Sequence, residues 1–95
     1  MNCRDYALLL LAHRLRSTQE LKKRLKEKNY SVPEIGRTIE ELKESGYLDD
    51  KKFAFKWVES RYKKRWKARP LVVKELRKKG ISREIISQAF SLYPW

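Results

Sequence analysis

The pattern of residues 6–14 returns at 53–61. Shifted by 47 positions, Tyr6-Ala7-Leu8 falls on Phe53-Ala54-Phe55, Leu10-Leu11 falls on Trp57-Val58, and Arg14 falls on Arg61. A four-residue insertion then brings Ser17 onto Ala68, Leu21 onto Val72, Leu25 onto Leu76 and Asn29-Tyr30-Ser31 onto Gly80-Ile81-Ser82; one deletion pairs Glu34-Ile35 with Glu84-Ile85. Self-similarity of this kind is the mark of tandem supersecondary units. Because a long helix, a second helix and a short return helix follow in the same order in both copies, the repeat favours two three-helix units over one six-helix bundle.

Each helix has its own start and stop signals. The first is expected over about Arg4 to Leu15, and its apolar run Tyr6 to Ala12 suggests a central helix buried nearly all round. Ser17-Thr18-Gln19-Glu20 is a capping box for the second, which turns Leu21 and Leu25 inward and carries Lys22, Lys23, Arg24, Lys26 and Lys28 as solvated cations. Asn29-Tyr30 closes it, and Ser31-Val32-Pro33-Glu34 caps a third helix with Val32, Ile35, Ile39 and Leu42 at inward spacing. Gly36 within that helix marks either a close crossing or a tolerated glycine.

Gly46 stops the third helix, and Asp49-Asp50 supplies carboxylates at the start of a fourth, where exposed N–H groups favour an acceptor. This longest helix runs to about Trp66, with Phe53, Ala54, Trp57, Val58, Arg61 and Tyr62 on one side. Pro70 opens the fifth, which holds Val72, Val73 and Leu76 inward and ends at a left-handed Gly80; Ser82 caps the sixth, which buries Ile85, Ile86, Ala89 and Phe90. No stretch alternates with strand periodicity. The expectation is an all-α chain of tandem three-helix repeats, residues 1–48 and 49–95, forming an elongated, curved helical body.

Charge divides the copies more sharply than any boundary. The chain holds 24 Lys and Arg against 12 Asp and Glu, but residues 1–50 contribute a net +1 and residues 51–95 a net +11. Such an excess points to a polyanion or an acidic protein surface as partner. At 41% hydrophobic residues the chain is too apolar for a disordered basic tail. The lone Cys3 has no cysteine partner for a disulfide and no ligand cluster around it, which fits a reducing, cytoplasmic setting. The apolar run of the first helix is too short to span a membrane, has Asp5 in front and ends in His13-Arg14, so neither an anchor nor a signal peptide is read.

Gly-Tyr-Leu-Asp-Asp-x-x-Phe-Ala-x-x-Trp-Val-x-x-Arg at 46–61, followed by Val72-x-x-Glu75-Leu76-x-x-Lys79-Gly80-Ile81, resembles the RecX family of RecA regulators. Upstream, Arg16-Ser17-x-x-Glu20-Leu21-x-x-x-Leu25 is similar to that family's first-repeat signature. The resemblance implies a modulator that lies in the helical groove of the RecA filament on single-stranded DNA and inhibits filament growth, ATP hydrolysis, strand exchange and co-protease activity. Two departures stand out: Ala68 occupies a position where the family commonly has Gly, and the chain stops at Tyr93-Pro94-Trp95 where family members usually continue into a third repeat. A two-repeat member or a fragment is implied, acting as a monomer with RecA and single-stranded DNA as partners.

The candidate contact residues are Arg61, Lys63, Lys64, Arg65, Lys67 and Arg69, joined by Lys74, Arg77, Lys78 and Lys79 if the fourth and fifth helices pack as antiparallel neighbours. The bland reading is a solvated face; the density of the run, with no acid between Arg61 and Arg69, favours binding to a polyanion or acidic groove. Tyr62 and Trp66 interleave with these charges and are either core residues or platforms for stacked bases. A sequence-reading helix-turn-helix is disfavoured, since the third helix is acidic and the sixth offers little beyond Arg83 and Gln88. Charge on the fourth and fifth helices suits backbone contact instead. Nothing calls for catalysis or a cofactor: the single His13 ends an apolar helix, and Asp49 and Asp50 are explained as capping groups. The alternative to a RecA modulator is a stand-alone nucleic-acid binder without sequence preference.

Overall fold

The computed structural model describes residues 1–64 and 67–94. Its helices are α1 (Cys3–His13), α2 (Thr18–Glu27), α3 (Val32–Glu44), α4 (Asp50–Lys64), α5 (Arg69–Lys78) and α6 (Arg83–Phe90), with no strand among the described residues. They form two compact units, Met1–Asp49 and Asp50–Trp95. Each is a three-helix repeat, so the architecture is all-α.

In the first unit α1 packs on both α2 and α3. Ala7, Leu10, Leu21, Leu25, Ile35, Ile39, Leu42 and Leu48 make its core, together with Cys3, a free thiol. Contrary to the reading of α1 as buried all round, only Cys3, Ala7 and Leu10 are buried, while Leu9 is 44% exposed. Two neighbours cover one side of a helix, not its whole circumference. The helix also ends at His13, short of Leu15, because Arg14 turns extended. That turn lets the buried Arg16 fold back and donate from Nε to the Leu10 carbonyl at 3.3 Å, giving a helix-end acceptor a charged partner.

Both expected capping boxes form. Ser17 Oγ accepts from the Glu20 N–H while the Glu20 carboxylate accepts from the Ser17 N–H, and Ser31 and Glu34 repeat the exchange at α3. Val32, expected inward, is 71% exposed, since it sits in the first turn before α3 reaches the core; Thr38 fills the buried face instead. Gly36 is the tolerated kind: a Cβ built there meets nothing within 4 Å. Gly46 has φ +80°, a left-handed torsion that stops α3.

The second unit is centred on Phe53, Ala54, Val58, Val72, Leu76, Ile81, Ile86, Ala89 and Phe90. Here α4 packs most closely with α6 and also against α5. Repeat-related Leu21 and Val72, and Leu25 and Leu76, are all fully buried. The C-termini of α2 and α5 close in the same way. Tyr30 N–H bonds to the Leu25 carbonyl and Asn29 N–H to that of Lys26, while Ile81 N–H bonds to Leu76 and Gly80 N–H to Arg77. These are paired Schellman turns, with Asn29 at φ 67° and Gly80 at φ 79° in the left-handed position.

Candidate polyanion-binding surface

The cationic residues of the second unit fall into distinct environments. Glu75 stands alone among acids between Glu59 and Glu84, and α5 places it half-buried against α4. Its Oε1 accepts from Trp57 Nε1 at 3.2 Å and from Arg61 Nε at 3.3 Å, and its Oε2 accepts from Lys67 Nζ. Burial works to raise the Glu75 carboxyl, but the hydrogen bonds from Lys67, Trp57 and Arg61, with the Arg61 charge, outweigh it and hold the group below its ordinary value. Glu75 is therefore an anion at neutral pH.

Trp57 is the second centre of this knot. Its ring stacks with Phe53 at 5.6 Å between centroids, and it carries the Arg61 guanidinium at 4.4 Å and the Lys79 ammonium at 4.6 Å. The α4 spacing of 57 and 61 puts the indole and the guanidinium on adjacent turns. So Arg61, Lys67 and Lys79, expected on a binding face, are gathered around one carboxylate and one indole. Neither Glu75 nor Trp57 was among the expected site residues; the isolated acid in a run of cations was the available signal.

Two other candidates also have local partners. Lys63 lies 3.5 Å from Glu59, which also accepts from the Tyr93 hydroxyl at 3.1 Å, and those two contacts, Tyr93 before Lys63, hold the Glu59 carboxyl below its ordinary value. The Lys63 side chain nonetheless remains 71% exposed. Arg69 places its guanidinium 4.7 Å above the Phe90 ring. Tyr62, considered as a stacking platform, is half-buried with its ring 4.9 Å from that of Tyr93.

What remains outward is concentrated on α5. Lys74, Arg77 and Lys78 are exposed and, with Pro70 and Val73, line one shallow hollow. Lys64 is exposed at the end of α4. Arg65 and Trp66 lie outside the described residues. The outer face of α5 and the end of α4 thus offer flexible cations, which suit a chain of phosphates or acidic side chains better than a small molecule needing an enclosed pocket. Among the described residues there is no group of three or more His, Cys, Asp and Glu placed to hold a metal, and no helix is long and apolar enough to cross a membrane.

A family model for the first three-helix domain of RecX matches residues 3–42, and one for the second three-helix domain matches residues 49–89. The regulatory protein RecX of Pelodictyon phaeoclathratiforme is 41% identical over 88 residues, which are 93% of this chain and 55% of that protein. The regulatory protein RecX of Bacillus subtilis is 38% identical over 87 residues, 92% of this chain and 33% of the relative. The chain thus spans about a third to about half of the length of these curated relatives. A crystal structure of RecX from Lactobacillus salivarius superposes with a TM-score of 0.90 at 26% identity, over 96% of this chain and 59% of that one. Another RecX regulatory-protein crystal structure, at 22% identity, gives a TM-score of 0.91 over 95% of this chain and 45% of that one. With two domain models covering most of its length, the chain belongs to the RecX family of regulatory proteins.

Proposed function

We propose that this chain inhibits the RecA recombinase by seating in the groove of a RecA filament on single-stranded DNA, and so regulates DNA repair and recombination, including the SOS response. The observation that carries the reading is the presence of two RecX domains, the second of which holds nearly all of the chain's excess positive charge. In this reading the protein acts as a cytoplasmic monomer without catalysis. Lys64, Lys74, Arg77 and Lys78, with the exposed Lys63, meet DNA phosphate or an acidic filament surface, and Arg65 adds its charge to the same stretch of sequence. Arg61, Lys67 and Lys79 have a different part, since Glu75 and Trp57 hold them in the frame that presents α5.

The test is RecA-dependent ATP hydrolysis on single-stranded DNA with a Lys64→Glu, Lys74→Glu, Arg77→Glu, Lys78→Glu variant. Those side chains are exposed, so the fold should survive and inhibition should weaken. Inhibition unchanged from the parent chain would overturn the reading. A pull-down on RecA filaments beside bare single-stranded DNA, at several salt concentrations, separates it from a stand-alone nucleic-acid binder. The proposed modulator binds the filament much more strongly, whereas the alternative binds both alike.

A further inference from the structure

The near-neutral net charge of the first half conceals a segregated one. Glu34, Glu40, Glu41 and Glu44 all lie on α3. On α2 the two acids have local work: Glu20 closes the capping box and meets Arg14 at 3.4 Å, and Glu27 meets Arg24 at 3.8 Å. Lys22, Lys23 and Lys26 are exposed on the same helix. Leu21 and Leu25 are buried, so helical geometry puts these three lysines together on the outward face, with 22 and 26, and 23 and 26, as i,i+4 and i,i+3 neighbours.

The repeat sharpens what this face is. In the register set by the buried pairs Leu21/Val72 and Leu25/Leu76, Lys23 corresponds to Lys74, Lys26 to Arg77 and Lys28 to Lys79. The last pair lies beside an aromatic ring in each unit: the exposed Lys28 is 5.3 Å from the Tyr6 ring centroid and the half-buried Lys79 is 4.6 Å from that of Trp57. The first two pairs point outward in both. Of these three matched pairs, each unit therefore sets one cation beside an aromatic ring of its own first helix and two on the outer surface.

We propose that the outer face of α2, formed by Lys22, Lys23 and Lys26, is a second binding surface for the phosphate backbone of single-stranded nucleic acid, separate from the α5 face. Three flexible ammonium groups without an enclosed pocket match a backbone of repeated charges and carry no base readout. Charge complementarity selects this partner. Glu27, i+4 from Lys23, is paired with Arg24, and Glu34, Glu40, Glu41 and Glu44 lie on α3, so the outer face of α2 keeps an excess of positive charge. The proposal rests on the geometry of the unit and not on any action upon RecA, and its test contains no RecA.

The measurement is fluorescence anisotropy of a labelled thirty-nucleotide oligodeoxythymidylate titrated with the full chain over a range of potassium chloride concentrations. Lys22→Gln, Lys23→Gln, Lys26→Gln is compared with the parent chain and with Lys74→Gln, Arg77→Gln. At a slope of roughly 0.7 per phosphate contact on a single strand, removing three contacts should flatten the log–log salt dependence by about 2. The arginine variant Lys22→Arg, Lys23→Arg, Lys26→Arg should keep the parent slope, which a purely structural role for lysine would not require. Circular dichroism confirms that each variant is helical and unfolds at the parent temperature. A glutamine variant that is folded and has the parent slope overturns the proposal and leaves α2 to solvent or an acidic protein.

Discussion

Arg61 lies above the indole of Trp57 with its guanidinium carbon 4.4 Å from the ring centroid, and both side chains donate to the same Glu75 oxygen. Glu75 thus joins α4 to α5 and, through Lys67, ties down the segment entering α5. Its half-burial makes these charge-assisted bonds worth more than an exposed ion pair.

Glu75→Gln should destabilise the second unit by about 1–3 kcal/mol at neutral pH, as removal of hydrogen bonds to a charged group does. The effect should depend on pH. The folded Glu75 carboxyl lies below its reference value of 4.5, so its contribution is fully present above that value and is lost as pH falls through the folded one. Urea unfolding at pH 7 and at successively lower values below 4.5 should therefore show the difference between parent and variant shrinking as acid is added. A difference that stays constant would mean that the charge on Glu75 contributes nothing to stability.

Ala68 precedes α5 with φ −69° and ψ 148°, a capping conformation, but makes no side-chain cap bond. Pro70 has no N–H, and the Leu71 amide donates to the Ala68 carbonyl at 3.0 Å, so a side-chain acceptor at 68 would share that amide. Ala68→Asp should supply an acceptor and a favourable charge at the helix start, adding about 1 kcal/mol. The midpoint of thermal unfolding should rise. A fall would show that the carboxylate is drawn to Lys67 or Arg69 at the expense of the cap.

The internal glycines should respond in opposite directions. Gly36→Ala places a methyl group in open space within a helix and should stabilise the first unit by about 0.5–1 kcal/mol. Gly46→Ala has equal room but must hold φ +80°, and should cost about 1 kcal/mol or more. Chemical denaturation of the two variants side by side checks the contrast, because both changes add the same methyl group.

The helical framework was legible because its signals are local. Ser17, Ser31 and Ser82 announce helix starts, Gly46 and Gly80 announce stops, and Leu21/Val72 and Leu25/Leu76 reveal the repeated core. Errors arose where burial depends on the number of neighbours. Leu9 belongs to an apolar run yet is partly exposed, and Val32 keeps helical spacing yet lies in a first turn beyond the core. The basic surface was legible as a count of charges but not as an arrangement. Sequence spacing puts Arg61 and Lys67 in one cationic run, whereas folding brings in Glu75 from the next helix and gathers both around it. Such contacts across helices leave no periodic trace; the family resemblance carried Glu75 only as a letter in a pattern.

The paired Schellman turns place different demands on substitution in the two halves. At Gly80 the left-handed torsion is available at no steric cost, whereas at Asn29 it is reached by one of the few side chains that enter this region with little penalty. Tyr30 and Ile81, one position beyond, each return an N–H to the preceding helix and a side chain to their own core, and Tyr30 also donates its hydroxyl to the Met1 carbonyl at 2.7 Å. The two copies therefore differ in residue at this turn while sharing one left-handed dihedral angle. Asparagine at 29 meets the same torsional demand as glycine at 80, and a β-branched side chain there would strain the turn between α2 and α3 without touching a buried contact.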